Sequence, residues 1–325
     1  MHKIRIGLYG ANGHQIHRAL VDHPLGVCVA TAAFERERLP EPLQADPDIR
    51  TYATLDALLQ DDRVDLVSLC SPRRRDQARE AIRCMEAGKH VLAEKPAAMT
   101  EVELDAIIAT SRATGLAFHE MWSGSASTQP YWAMRQVVQA GTLGDVIQVL
   151  VQKSYPLHHN RPQDEDVDGG LILQVGVHAL RFIEFTAGVK VDAIWAIDTQ
   201  LGNPGEGELR VAASMMLGLA NGGVASVACN YLNPPGFGMH GNEMVRIFGT
   251  EGFLESTDGG TRTRLVLNGE DRGPLSITEP GPEWLDLALT SILGRGAMPV
   301  TLEDELHPTR MLIRARADAA GQVSA

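Results

Sequence analysis

The sequence is poor in the features that mark several functional classes. It has no apolar run of about 18 residues, so no membrane-spanning helix is expected. Its first residues, Met1-His2-Lys3-Ile4-Arg5-Ile6-Gly7, alternate apolar and basic side chains. They lack the apolar core and cleavage site of a secretory signal. Cysteine is scarce: Cys28, Cys70, Cys84 and Cys229 have no metal-type spacing and lie in apolar runs or helical patterns. They read as free buried thiols in a reducing cytoplasm. Positive charge is outweighed, with 29 Lys and Arg against 41 Asp and Glu and a formal charge of −12. Binding of nucleic acid or an anionic membrane by the whole surface is therefore not expected. Repeats and low-complexity tracts are also missing.

What is present is a chain of 325 residues, 44% hydrophobic and 22% charged, ample for a large core and suggestive of two domains. Residues 1–122 alternate apolar runs with helical patterns. Strands are expected at 4–9, 26–34, 64–70 and 90–94, and helices from about 13, from 73 to 88 and from 100 to 115. Thr100 with Glu103 forms a capping box and Gly115 a stop. This predicts parallel βαβ units. From 123 to 325 strands dominate, at 145–153, 191–199, 209–219, 223–231 and 244–248. Helical patterns occur at 130–141 and 171–186, with a surface helix at 303–320. The second domain is expected to be α+β around a mostly antiparallel sheet, with the last helix a candidate to pack back on the first domain.

Gly10-Ala11-Asn12-Gly13-His14-Gln15 follows a strand, where backbone N–H groups can meet a pyrophosphate. Against G-x-G-x-x-G only Gly10 matches; Asn12 and Gln15 replace the later glycines, so the motif taken alone reads first as a tight turn without ligand. At the end of the second strand Glu35 could hold the ribose hydroxyls of NAD, or Arg36 and Arg38 a 2′-phosphate, leaving NAD and NADP open. Arg73-Arg74-Arg75 open a helix, where cations oppose the dipole; Asp76 or a bound anion would compensate. Glu94-Lys95-Pro96 ends a strand, and catalytic groups of open α/β sheets sit at such ends. Gln174 and His178 are four apart and share a helix face, behind Gly169-Gly170. Tyr155, His158, His159 and Arg161 are substrate-binding candidates or a polar loop. A metal site from His158, His159 and Asp166 lacks convincing spacing, and no metal is expected.

These pieces resemble the Gfo/Idh/MocA oxidoreductase family. Besides Gly10-Ala11-Asn12-Gly13, the matching segments are Ser71-Pro72, 88–96 with Glu94-Lys95-Pro96, 141–144, Gly169-Gly170 with Gly176 and His178, 247–252 and 300–304. The resemblance implies an N-terminal Rossmann domain, a C-terminal α/β domain with a large open sheet, and homodimers or homotetramers formed through that sheet. It also implies NAD or NADP held near Gly10, Asn12, Gly13, His14, Glu35, Arg36, Ser71, Pro72, Arg73, Glu94, Lys95 and Pro96. Lys95 and His178 would lie at the reacting centre, with Gln174, Tyr155 and His159 binding substrate. The implied activity is NAD(P)-dependent oxidation or reduction of a sugar, cyclitol or similar small alcohol or carbonyl. The departures matter: the phosphate turn is atypical, Arg73 and Asp76 stand where the family often has Asn and His after Ser/Thr-Pro, and Gln174, an amide that cannot accept a proton at neutral pH, stands where it commonly has Asp. That leaves room for a redox-assisted lyase or glycosidase, or for a sensor without catalysis.

Overall fold

The computed structural model describes residues 2–122, 128–277 and 279–322. They form two compact units. The first takes the chain to Ser123 plus Asp166–Asp168 and Trp284–His307; the second takes Gly124–Glu165, Gly169–Glu283 and Pro308–Ala325. Two later segments thus join the front of the chain, and the last helix, Leu302–Gln322, gives its first turn to the first unit and the rest to the second.

In the first unit β1 (Ile4–Tyr9), β2 (Gly26–Ala32), β3 (Arg50–Tyr52), β4 (Leu66–Leu69), β5 (His90–Ala93) and β6 (Phe118–Glu120) form a parallel sheet in the order β3-β2-β1-β4-β5-β6. Ile6, Leu8, Leu66, Val67 and Leu69 are fully buried, as expected of strands covered on both faces. The helix Gln77–Glu86 buries Ala78, Ala81, Cys84 and Met85. The helix Glu101–Thr114 begins at the expected capping box, with Glu103 N–H donating to Thr100 Oγ1 at 3.3 Å and Thr100 N–H to Glu103 Oε2 at 3.0 Å. The run at 73–75 enters its helix through a 3-10 turn, Arg74–Asp76.

The helix expected from about residue 13 is not formed; the chain makes only a 3-10 turn, Ile16–Arg18. The cause is Gln15, whose amide folds back across the ends of β1 and β4. Its Nε2 donates to the carbonyls of Gly10 and Ser68, both at 3.1 Å, and its Oε1 accepts from Ile16 N–H at 3.0 Å. A side chain has thus taken groups that the backbone would otherwise pair, a known way of competing with a helix.

The second unit carries β7 (Val146–Ser154), β8 (Val191–Thr199), β9 (Ala212–Leu219), β10 (Val224–Asn230), β11 (Asn242–Gly249), β12 (Gly252–Thr257), β13 (Arg262–Leu267) and β14 (Glu270–Gly273). Their order is β14-β13-β12-β11-β7-β10-β9-β8, antiparallel except where β10 runs parallel to β7. The helix Gly170–Arg181 packs on one face of this sheet, against β7, β9 and β10. Gly176 instead admits the last helix, Leu302–Gln322: a Cβ there would stand 2.8 Å from Leu312 Cδ2. The helix Leu302–Gln322, expected at the surface, in fact buries Leu306, Met311, Leu312 and Ala315. The other face leaves Ile147, Trp195, Ile197, Met216 and Val224 at least half exposed. A groove of about 600 Å³, lined by Leu150, Trp195, Ile197 and Met216 among others, runs over it.

Candidate active site

In the first unit the glycine turn sits at the carboxyl ends of β1, β4 and β5. Gly10 has φ +69°, and a Cβ on it would stand 2.1 Å from the Cys70 carbonyl oxygen. Only glycine fits there. Gly13, at φ +124°, leaves room for the Glu94 carboxylate, which a Cβ would approach to 2.3 Å. That carboxylate accepts from His14 N–H, lies 2.9 Å from His14 Nδ1 and accepts from Lys95 N–H at 2.9 Å. Burial pushes Glu94 up, but the hydrogen bond and charge of His14, with Lys95 and Arg74 nearby, outweigh it and hold Glu94 well below the usual carboxylate range.

Lys95 is only 2% exposed, directly after β5 and followed by a cis peptide to Pro96. The loop is fixed from beneath: Gln77 Nε2 donates to the carbonyls of Glu94 and Pro96, and Glu120 Oε1 accepts from Ala97 N–H at 2.6 Å. Ser71 is buried and Pro72 exposed at the neighbouring end of β4. Arg74 is buried, donating to Asn12 O at 2.7 Å and to Gln77. Asn12 Nδ2 donates to Pro72 O at 3.2 Å and to Val167 O. Asp76 does not neutralise the arginine run as expected; it pairs with Arg79, while Arg73 and Arg75 meet Asp166.

At the end of β2 the two candidate recognition groups separate. Glu35 is exposed, whereas the Arg36 guanidinium is committed to the carbonyls of Gln44, Asp46 and Ile49. The cleft beside the turn, about 610 Å³, is lined instead by Gly13, His14, Gln15, His17, Arg18, Glu37 and Arg38. A glycine turn opening on a roomy cleft with two guanidinia has the space and charge for a dinucleotide.

In the second unit the helix Gly170–Arg181 presents Gln174 and His178. Gln174 Oε1 accepts from Tyr231 Oη at 3.0 Å and from Arg161 Nη1 at 3.3 Å, and the Arg161 guanidinium stacks 3.7 Å above the Tyr231 ring. The Tyr155 ring lies edge-on to His178 at 6.3 Å and 5.0 Å from His240. His159 is exposed; its neighbour His158 is the one that stacks on His240, at 5.7 Å. Lys153, buried and paired with Glu243, places its ammonium 4.6 Å from the Tyr155 ring. Lys153, Tyr231, His240 and Glu243 escaped the sequence reading. The available signal was Lys153, a charge at an inward position of an alternating strand. Among the described residues, no cluster of three or more His, Cys, Asp or Glu could hold a metal ion.

Two family models match in tandem. One, for the NAD-binding Rossmann fold of the oxidoreductase family, covers residues 4–121; the other, for the Gfo/Idh/MocA C-terminal domain, covers residues 131–255. The chain belongs to the Gfo/Idh/MocA oxidoreductase family. Among curated proteins, trans-1,2-dihydrobenzene-1,2-diol dehydrogenase of Bos taurus is 27% identical over 260 residues, 79% of this chain and 74% of that protein. dTDP-3,4-didehydro-2,6-dideoxy-alpha-D-glucose 3-reductase of Streptomyces violaceoruber is 28% identical over 66% of this chain and 67% of its own. The WlbA dehydrogenase of Bordetella pertussis, solved with NADH and UDP-GlcNAcA, shares the fold at a TM-score of 0.82 and 18% identity, covering 99% of this chain and 98% of its own.

Proposed function

We propose that this Gfo/Idh/MocA protein is an NAD(P)-dependent dehydrogenase or reductase that interconverts alcohol and carbonyl on a sugar, cyclitol or similar small hydroxylated substrate. The observation that carries the reading is the burial of Lys95 at the carboxyl end of β5, anchored beside the glycine turn through Glu94. The bound nicotinamide supplies the hydride acceptor or donor. Lys95 donates a hydrogen bond to the reacting substrate oxygen and stabilises the charge that develops on it. His178 takes or returns the hydroxyl proton. Gln174, oriented by Tyr231 and Arg161, positions the substrate rather than exchanging protons. Gly10, Asn12, Gly13, His14, Ser71, Pro72, Arg73 and Glu94 would hold the nucleotide, with Glu35, Arg18 and Arg38 at its adenosine end. Tyr155 would line the substrate pocket.

Lys95→Met is expected to lower turnover by about 10²–10⁴-fold, the usual weight of a positioned acid or base, while nucleotide affinity stays within a few-fold. The assay follows NAD(P)H absorbance across a panel of sugars, cyclitols and dihydrodiols, with binding measured by titration. Unchanged turnover in this variant overturns the assignment. The amide at Gln174 supports one second reading, a redox-assisted lyase; it predicts product without net change in NAD(P)H.

The exposed apolar face around Trp195 and Met216 supports a homo-oligomer formed through the eight-stranded sheet. The four cysteines are free and buried, which supports a reducing compartment, the cytoplasm.

A further inference from the structure

Asn12, Arg73 and Arg75 converge on one short segment, Asp166–Asp168. Asn12, at the second-glycine position, holds the carbonyl of Val167. Arg73 and Arg75 both meet Asp166 Oδ2, at 3.6 and 2.6 Å. Their neighbour Arg74 is spent inward on Asn12 O and Gln77, and Asp76 is spent on Arg79. Two outward guanidinia thus meet on the Asp166 carboxylate at the start of a helix, where the backbone already favours anions.

The turn itself is weakly equipped to hold a diphosphate. Its first helix is reduced to a 3-10 turn, and the His14 N–H already donates to Glu94. Charge for a phosphate has to come from side chains. Asn12 ties Pro72 on one side and Val167 on the other to the glycine turn, so the paired ions stand beside it. The side chains of Arg73, Arg75 and Asp166 are 45%, 57% and 41% exposed. Ion pairs this open are weak and exchange readily, whereas a diphosphate offers guanidinium groups a multivalent, bidentate partner.

We propose that Arg73 and Arg75 are the phosphate-binding cations of this protein, and that Asp166 is a built-in competitor whose carboxylate the dinucleotide's diphosphate displaces. The inference rests on the dehydrogenase reading, and it deepens the nucleotide site by naming its charge supply. The test measures dissociation constants of NADH, NADPH, ADP and adenosine by titration at low and moderate salt. Adenosine lacks the phosphates and is the internal control.

The double variant Arg73→Ala, Arg75→Ala is expected to weaken ADP and dinucleotide binding about tenfold or more and to flatten its salt dependence, with adenosine unaffected. Asp166→Asn is expected to tighten ADP binding several-fold. The double lysine variant, which keeps the charge, is expected to fall between wild type and the alanine variant, and guards against loss of fold. ADP binding by the alanine variant within twofold of wild type, with the same salt response, overturns the proposal. So does unchanged or weaker ADP binding by Asp166→Asn. Failure of the wild type to bind either dinucleotide overturns the dehydrogenase reading together with this one; binding and turnover that ignore the variants overturn this one alone.

Discussion

At Glu94 a buried carboxylate earns its charge from its neighbours. Its folded acidity is stronger than that of a free side chain, because His14, Lys95 and Arg74 favour the ionised form more than burial opposes it. A group whose pKa is depressed on folding stabilises the native state above its unfolded value and loses that contribution as pH falls toward the folded one. Glu94→Gln is therefore expected to destabilise the protein at pH 7 by about 1–3 kcal/mol, the cost of removing a charged hydrogen-bonding partner. The difference should shrink as pH drops below about 4.5, the unfolded glutamate range. Denaturant unfolding at pH 7 and pH 3 measures both arms. Gly10 and Lys95 could be singled out from the sequence, because strand ends and glycine turns have positional meaning. The Glu94–His14 contact could not, since it joins residues eighty positions apart. His158 and His159 are adjacent and chemically identical, so only the backbone decides which of them reaches His240.

At the level of elements, local signals worked where they were redundant. The helix Glu101–Thr114 carries an N-terminal box and a left-handed glycine at its end, and both are used. Thr100→Ala is expected to cost about 1 kcal/mol, within the usual 0.5–2 range for a lost cap, read as a lower midpoint in denaturant with an unchanged slope. Strands with apolar residues on both faces were equally legible. The helix expected from Gly13 was not formed because a single amide, Gln15, satisfies carbonyls that propensity rules assign to nobody. Short edge strands such as β3 and β6, three residues each, carry too little pattern to be read. The helix Leu302–Gln322 looked superficial because its apolar residues are diluted by charge, yet Leu306, Met311 and Leu312 are buried.

At the scale of the whole molecule, the two-part architecture follows from a change of hydrophobic period near residue 122, whereas nothing local marks Asp166–Asp168 as part of the first unit. The exposed sheet face sets the expected assembly. Trp195 and Met216 are register partners on β8 and β9, so they form one patch. If the proposed homo-oligomer forms through this face, Trp195→Lys with Met216→Lys yields a smaller assembly in light scattering at unchanged far-UV circular dichroism; an unchanged mass overturns that proposal. The glycine turn has a further consequence. Its amide is satisfied by Glu94 and its nearby guanidinia by Asp166 before any visitor arrives, so an incoming nucleotide gains only the surplus over those internal bonds. On the proposed reading of this site, that favours a redox carrier that comes and goes between turnovers over one held permanently.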